Sequence, residues 1–129
     1  MTSLLPNSRR PDVIFHPNGR IDITARIARM LQLQNGDVID VAVSYEEYLI
    51  YVRLRAAECV GRHEATVHPT NKGKHRNNNF RAYSHRLCKS IRSILGGIPA
   101  EKPLRLPAGS PVIFGPNGTA IPLITRNPL

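Results

Sequence analysis

Ten basic side chains fall between residues 62 and 105, against only Glu64 and Glu101. Lysine and arginine neutralise phosphates and release their counterions, and arginine and asparagine also read base edges. The densest run is Lys72, Lys74, His75 and Arg76, followed by Asn77, Asn78 and Asn79; Arg81, Arg86, Lys89 and Arg92 come next. That cluster predicts the electrostatic footprint of a nucleic-acid-binding protein. The competing account is a solvated charged helix face after a polar loop. Residues 1–61 balance seven basic groups against seven acidic ones, so the formal +9 charge comes almost entirely from the second half.

Other chemistries find less support. The five histidines (His16, His63, His68, His75, His85) lack the spacing of a metal-ligand motif, and Cys59 and Cys88 make no Cys-x-x-Cys pair. Gly96-Gly97 follows a helical pattern instead of opening one, so it reads as a stop signal and not as a phosphate-binding loop. No metal, cofactor or catalytic residue is expected. A histidine can still shuttle protons near neutral pH, which keeps a nuclease-like enzyme using His63, His68 or His85 as a rival. Cys88 lies beside an apolar stripe and reads as a small buried side chain.

These groups need a scaffold, and 129 residues at 41% hydrophobic content supply one domain or two small, closely packed units. A chain of this size buries about two-thirds of its unfolded surface, enough for a core without disulfides or a structural metal. No apolar run approaches the ~20 residues of a membrane span, and residues 1–10 lack the order of a secretory signal. The expectation is a cytoplasmic protein without membrane contact.

Residues 1–12 read as a flexible arm, 13–55 as one strand–helix–hairpin unit and 56–129 as a second, basic unit packed on the first. Val13-Ile14-Phe15 predicts a short strand, His16-Pro17-Asn18-Gly19 a tight turn, and the alternating Arg20-Ile21-Asp22-Ile23 a half-buried strand. Thr24 is the candidate cap of a two-turn helix carrying Ile27, Met30 and Leu31. Strands are expected at 38–43 and 48–52. In the second unit the runs Cys59-Val60 and Ala65-Thr66-Val67 suggest one or two strands, and the apolar set Tyr83, Leu87, Ile91, Ile94, Leu95 predicts one amphipathic helix from Phe80 to Leu95. Val112-Ile113-Phe114 and 119–124 complete a hairpin, with Pro122 forcing an edge or a bulge.

The segments Leu31-x-Leu33-x-x-Gly36 and Leu104-x-Leu106-x-x-Gly109 stand 73 residues apart, each after a helix and before a hairpin. They are either a degenerate internal repeat or two chance copies of a common turn.

Residues 15–52 resemble the AbrB/MazE/SpoVT swapped-hairpin family of DNA-binding regulators. The resemblance is carried by Gly19-Arg20-Ile21-x-Ile23, the helix ending Arg29-Met30-Leu31, then Leu33-x-x-Gly36-Asp37 and the two hairpin strands. The family's proline before the helix is Thr24 here, and the first of its paired helix arginines is Ala28. The resemblance implies DNA contact by Arg20 and Arg29; Arg26 has no counterpart in it, and the competing account of the three arginines is a solvated charged face with salt bridges to Asp22 or Asp40. It also implies a barrel closed by interleaved hairpins, from two copies of the chain or from its two halves.

Gly36 suits a strained turn and Asp37 can accept backbone donors across it. Gly19, Gly36, Asp37 and Gly109 are therefore read as structural turn residues. The fold expected is α+β or mainly β: a small swapped-hairpin-like barrel with one short and one longer helix. The expected function is non-enzymatic binding of double-stranded DNA, with RNA not excluded, by a transcriptional regulator or antitoxin-like protein. Its contacts would be Arg20, Arg29, Lys72, Lys74, Arg76, Arg81, Arg86, Lys89 and Arg92. A homodimer or a protein partner stays open. The alternatives are an RNA-binding or nuclease-like enzyme and a structural or assembly protein of a mobile element.

Overall fold

A computed structural model describes residues 11–44, 47–52, 65–70, 78–115 and 118–125. Among these residues the protein is α+β: nine strands in two antiparallel sheets, with two helices. The strands are β1 (Val13–Phe15), β2 (Arg20–Ile23), β3 (Ile39–Ser44), β4 (Glu47–Val52), β5 (His68–Pro69), β6 (Phe80–Tyr83), β7 (Leu104–Leu106), β8 (Val112–Ile113) and β9 (Thr119–Leu123). The helices are α1 (Ala25–Leu31) and α2 (His85–Leu95). Neither is long and apolar enough to cross a membrane.

One sheet runs β5-β6-β2-β1-β7 and the other β3-β4-β9-β8. Each therefore mixes strands from both halves of the chain. The central seams are β2–β6, with Arg20 opposite Tyr83 and Ile23 opposite Phe80, and β4–β9, with Ile50 opposite Ile121. The chain after each helix also crosses to the other half. Gly36 and Ile39 donate to the carbonyls of Val67 and Ala65, while β7 pairs with β1.

Period-two alternation explains which side of the five-stranded sheet is dry. Val13, Phe15, Ile21, Ile23, Ala82, Leu104 and Leu106 point inward and are buried, and α1 adds Ile27 and Leu31. Full burial of such a side chain is worth about 1.5–3 kcal/mol. The intervening residues, Arg20, Asp22, Arg81, Tyr83 and Arg105, face outward by the same alternation.

Three expectations need correction. First, the helix expected over Phe80–Leu95 begins only at His85. Phe80–Tyr83 pairs with β2 instead, and the Ser84 hydroxyl accepts the Leu87 N–H as a helix cap. Consequently Tyr83 does not belong to the helix stripe; it is exposed, as is Ile94 within α2, while Cys88 and Ile91 are buried. Second, Thr24 stands at the cap position of α1 without a side-chain cap bond, and its hydroxyl is buried without a partner. Asn79 supplies an acceptor there instead, its Oδ1 taking the Ala25 N–H at 2.8 Å.

Pro122 meets the second of its two expectations: it lies inside the second sheet with β4 on one flank, and the register on its other flank slips by one residue, from Val112 opposite Ala120 to Ala108 opposite Leu123, as at a bulge. Its carbonyl accepts from Gly109 on the other flank, and a residue's N–H and C=O point the same way in a strand. The missing donor thus faces residues 107–109 and costs β4 nothing. The two Leu-x-Leu segments differ locally. Leu31–Leu33 passes through a left-handed Gln32 (φ 54°) as α1 ends, whereas Leu104–Leu106 is strand β7. Third, the Ala65–Val67 run forms only an isolated bridge from Thr66 to Val38, the strand falling at His68–Pro69. Cys59-Val60 falls outside the described residues.

Candidate nucleic-acid interface

The register places one continuous row across the outer face of the five-stranded sheet. His68 of β5 lies opposite Arg81 of β6, Arg81 opposite Asp22 of β2, Asp22 opposite Ile14 of β1, and Ile14 opposite Arg105 of β7. Residues directly opposite share a face, so the row carries three cationic or imidazole groups and one carboxylate. Arg20 and Tyr83, a directly opposed pair, continue the same face two residues along.

Asp22 is the hub of this surface. Arg81 donates from Nε to Oδ1 at 2.8 Å, and His16 Nε2 lies 2.7 Å from Oδ2. Arg20 Nε stands 3.2 Å from Oδ2, an ion pair without hydrogen-bond geometry. Partial burial pushes the Asp22 carboxyl up, but the hydrogen bonds from Arg81 and His16 and the charges of Arg20 and Arg81 outweigh it. The net effect holds it below the usual carboxylate value. The bond to Asp22 in turn raises the Arg81 guanidinium above its ordinary value, and the neighbouring Tyr83 phenol adds to that. Arg20 also reaches His16, Nη2 to Nε2 at 3.2 Å.

The expected contact residues therefore divide. Arg20 and Arg81 are brought together in the sheet through Asp22. Arg29 is exposed in the last turn of α1, where a cation complements the helix dipole. Arg86 and Lys89 lie on the exposed side of α2. Arg92 is engaged in holding the chain after α2: its guanidinium donates to the carbonyls of Lys102, Pro99 and Ala100 at 2.6, 2.9 and 3.4 Å. It and Lys89 line a cleft of about 400 Å³ between α2 and Ile98–Ala100. Lys72, Lys74 and Arg76 fall outside the described residues. Arg26 pairs with Asp12 at 3.0 Å, and the same Asp12 oxygen accepts the Ala108 N–H.

The turn residues have geometric reasons. Gly19 has φ +90°, and a Cβ there would stand 3.0 Å from the His85 backbone nitrogen, where α2 begins. Gly36 has φ 94°, and the Asp37 carboxylate accepts the Gln34 N–H at 2.8 Å. Gly109 keeps a Cβ out of the way of Pro122, 3.2 Å distant.

Sequence reasoning named Asp22 as a salt-bridge partner of the nearby arginines, which the Arg20–Asp22 pair bears out, but missed its link to Arg81 and missed His16, Tyr83 and Arg105 as parts of this face. Only the period-two pattern of 20–23 pointed toward it; the cross-strand partner of Asp22 was invisible without the register. Among the described residues, no three histidine, cysteine or carboxylate side chains form a metal-ligand cluster. Comparison with protein-family models, curated proteins and solved structures finds no significant match.

Proposed function

We propose that this chain is a non-enzymatic DNA-binding protein, with a regulatory or antitoxin-like role, and that duplex DNA lies on the outer face of the five-stranded sheet. The observation carrying this reading is the Arg81–Asp22–Arg105 row with Arg20 beside it, three guanidinium groups against one carboxylate. Asp22 fixes Arg20 and Arg81 in place, which lowers the entropy lost when they take up phosphates. Arg29, Arg86 and Lys89 extend the positive surface onto the helices.

The exchange of partners between the halves supports an AbrB/MazE/SpoVT-like swapped-hairpin arrangement supplied by one chain. The β2–β6 and β4–β9 seams are the expected signature of such interleaving. On this reading the DNA-competent species is a monomer, which sedimentation equilibrium of the free protein tests.

The direct test is titration of duplex DNA at several salt concentrations. Removing one phosphate-neutralising cation flattens the log–log salt dependence by about 0.9. Arg105→Gln and Arg20→Gln should each flatten it by about that amount. Absence of salt-sensitive binding in the unaltered chain would overturn the proposal.

A further inference from the structure

We infer that the same sheet face also takes single-stranded nucleic acid, with the rings of Tyr83 and His68 as a two-base stacking platform. This rests on the reading that the face holds phosphates, and it goes beyond that reading in naming an unpaired strand as ligand. Among the described aromatic residues Tyr83 alone is exposed, with 58% of its surface accessible; Phe15 is buried and Tyr48, Tyr51, Phe80 and Phe114 are half-buried. His68 is exposed as well.

Their placement is specific. His68 lies directly opposite Arg81, and Tyr83 is two residues beyond Arg81 on the same strand. The two rings are thus diagonal neighbours on adjacent strands, about 7–8 Å apart at Cα. Successive nucleotides of an extended single strand span such a step. Arg81 adjoins both positions, opposite His68 and two residues before Tyr83, and Arg20 lies opposite Tyr83, so cations flank the path where a backbone would run. The Asn35 side chain orients the imidazole, its Oδ1 standing 2.8 Å from His68 Nδ1.

A duplex hides the faces of its bases within the stack, and exposed rings gain nothing from them there. An unpaired strand offers those faces, and aromatic stacking tolerates any base. The charge on the face matches the phosphates of either form.

Fluorescence anisotropy with an oligothymidylate of about 16 nucleotides, beside a duplex of random sequence, tests this. Tyr83→Ala should weaken oligothymidylate binding roughly 5- to 150-fold without changing its salt slope. Tyr83→Phe should bind as the unaltered chain does, and His68→Ala should lose more affinity for the single strand than for the duplex. Two results overturn the inference alone: duplex binding without oligothymidylate binding, or oligothymidylate binding indifferent to both alanine variants. Failure to bind either nucleic acid at low salt overturns the phosphate reading itself, and this inference with it.

Discussion

Arg81 donates to Asp22 at 2.8 Å across the β2–β6 seam, joining residues 59 apart in the chain. Directly behind them Ile21 faces Ala82 on the buried side of the same two strands. The seam between the halves is therefore closed by apolar contact on one face and by charge on the other. The charged face is the one we assign to nucleic acid, so its stability and its binding are coupled through one carboxylate.

That coupling has a pH dependence of definite sign. The Asp22 carboxyl is lower in the folded chain than in the unfolded one. Its stabilisation is complete above the ordinary carboxylate value of about 4 and is lost as pH falls through the lowered folded value. Denaturant midpoints measured from neutral to acid pH should fall more steeply for the unaltered chain than for Asp22→Asn. The substitution should cost about 1–2 kcal/mol at neutral pH. Parallel acid profiles for the two proteins would count against the hub.

Gly19→Ala should destabilise by about 1–3 kcal/mol, because it combines a positive φ with a Cβ set against the start of α2. Chemical denaturation measures it. A neutral result would mean that the β1–β2 turn and α2 yield to each other.

Arg92 and Arg105 should behave oppositely. Arg92 holds three carbonyls after α2, so Arg92→Gln should lower stability by about 1–2 kcal/mol and leave the salt slope of DNA binding nearly unchanged. Arg105 is exposed on the outer row, and Arg105→Gln should flatten the slope with stability within about 0.5 kcal/mol. Paired melting and binding curves decide between these roles.

Cys88 is buried, its Sγ 3.8 Å from the Arg20 carbonyl, and burial pushes the thiol up to about 11. In a Cys59→Ser chain the remaining thiol should react with a disulfide reagent at pH 8 only as fast as the structure opens. Rapid labelling under native conditions would show that the α2 packing is looser than described.

Local signals in the chain located the turns and most strands: Asn-Gly at 18–19 and the alternation of 20–23 each sit where expected. Non-local pairing was not legible. Phe80–Tyr83 carries apolar residues that also suit a helix of period 3.6. Its backbone bonds go to β2, a partner that spacing within the segment does not reveal. The charge excess identified a cationic surface, yet it could not separate Arg92, engaged with carbonyls, from Arg81 and Arg20, held on a sheet face. Asp22 was the harder case, since an isolated acid in a short strand has no sequence signature of three converging partners.

The exchange of strands between halves also governs how the protein can be made. β1 needs β7 as its outer neighbour, so the first sheet cannot be completed until residue 106 has left the ribosome. Pairings of such long range slow folding relative to proteins built from local contacts. A chain stalled before residue 80 would carry β1, β2 and β4 with open edges, exposed to aggregation for as long as synthesis is interrupted.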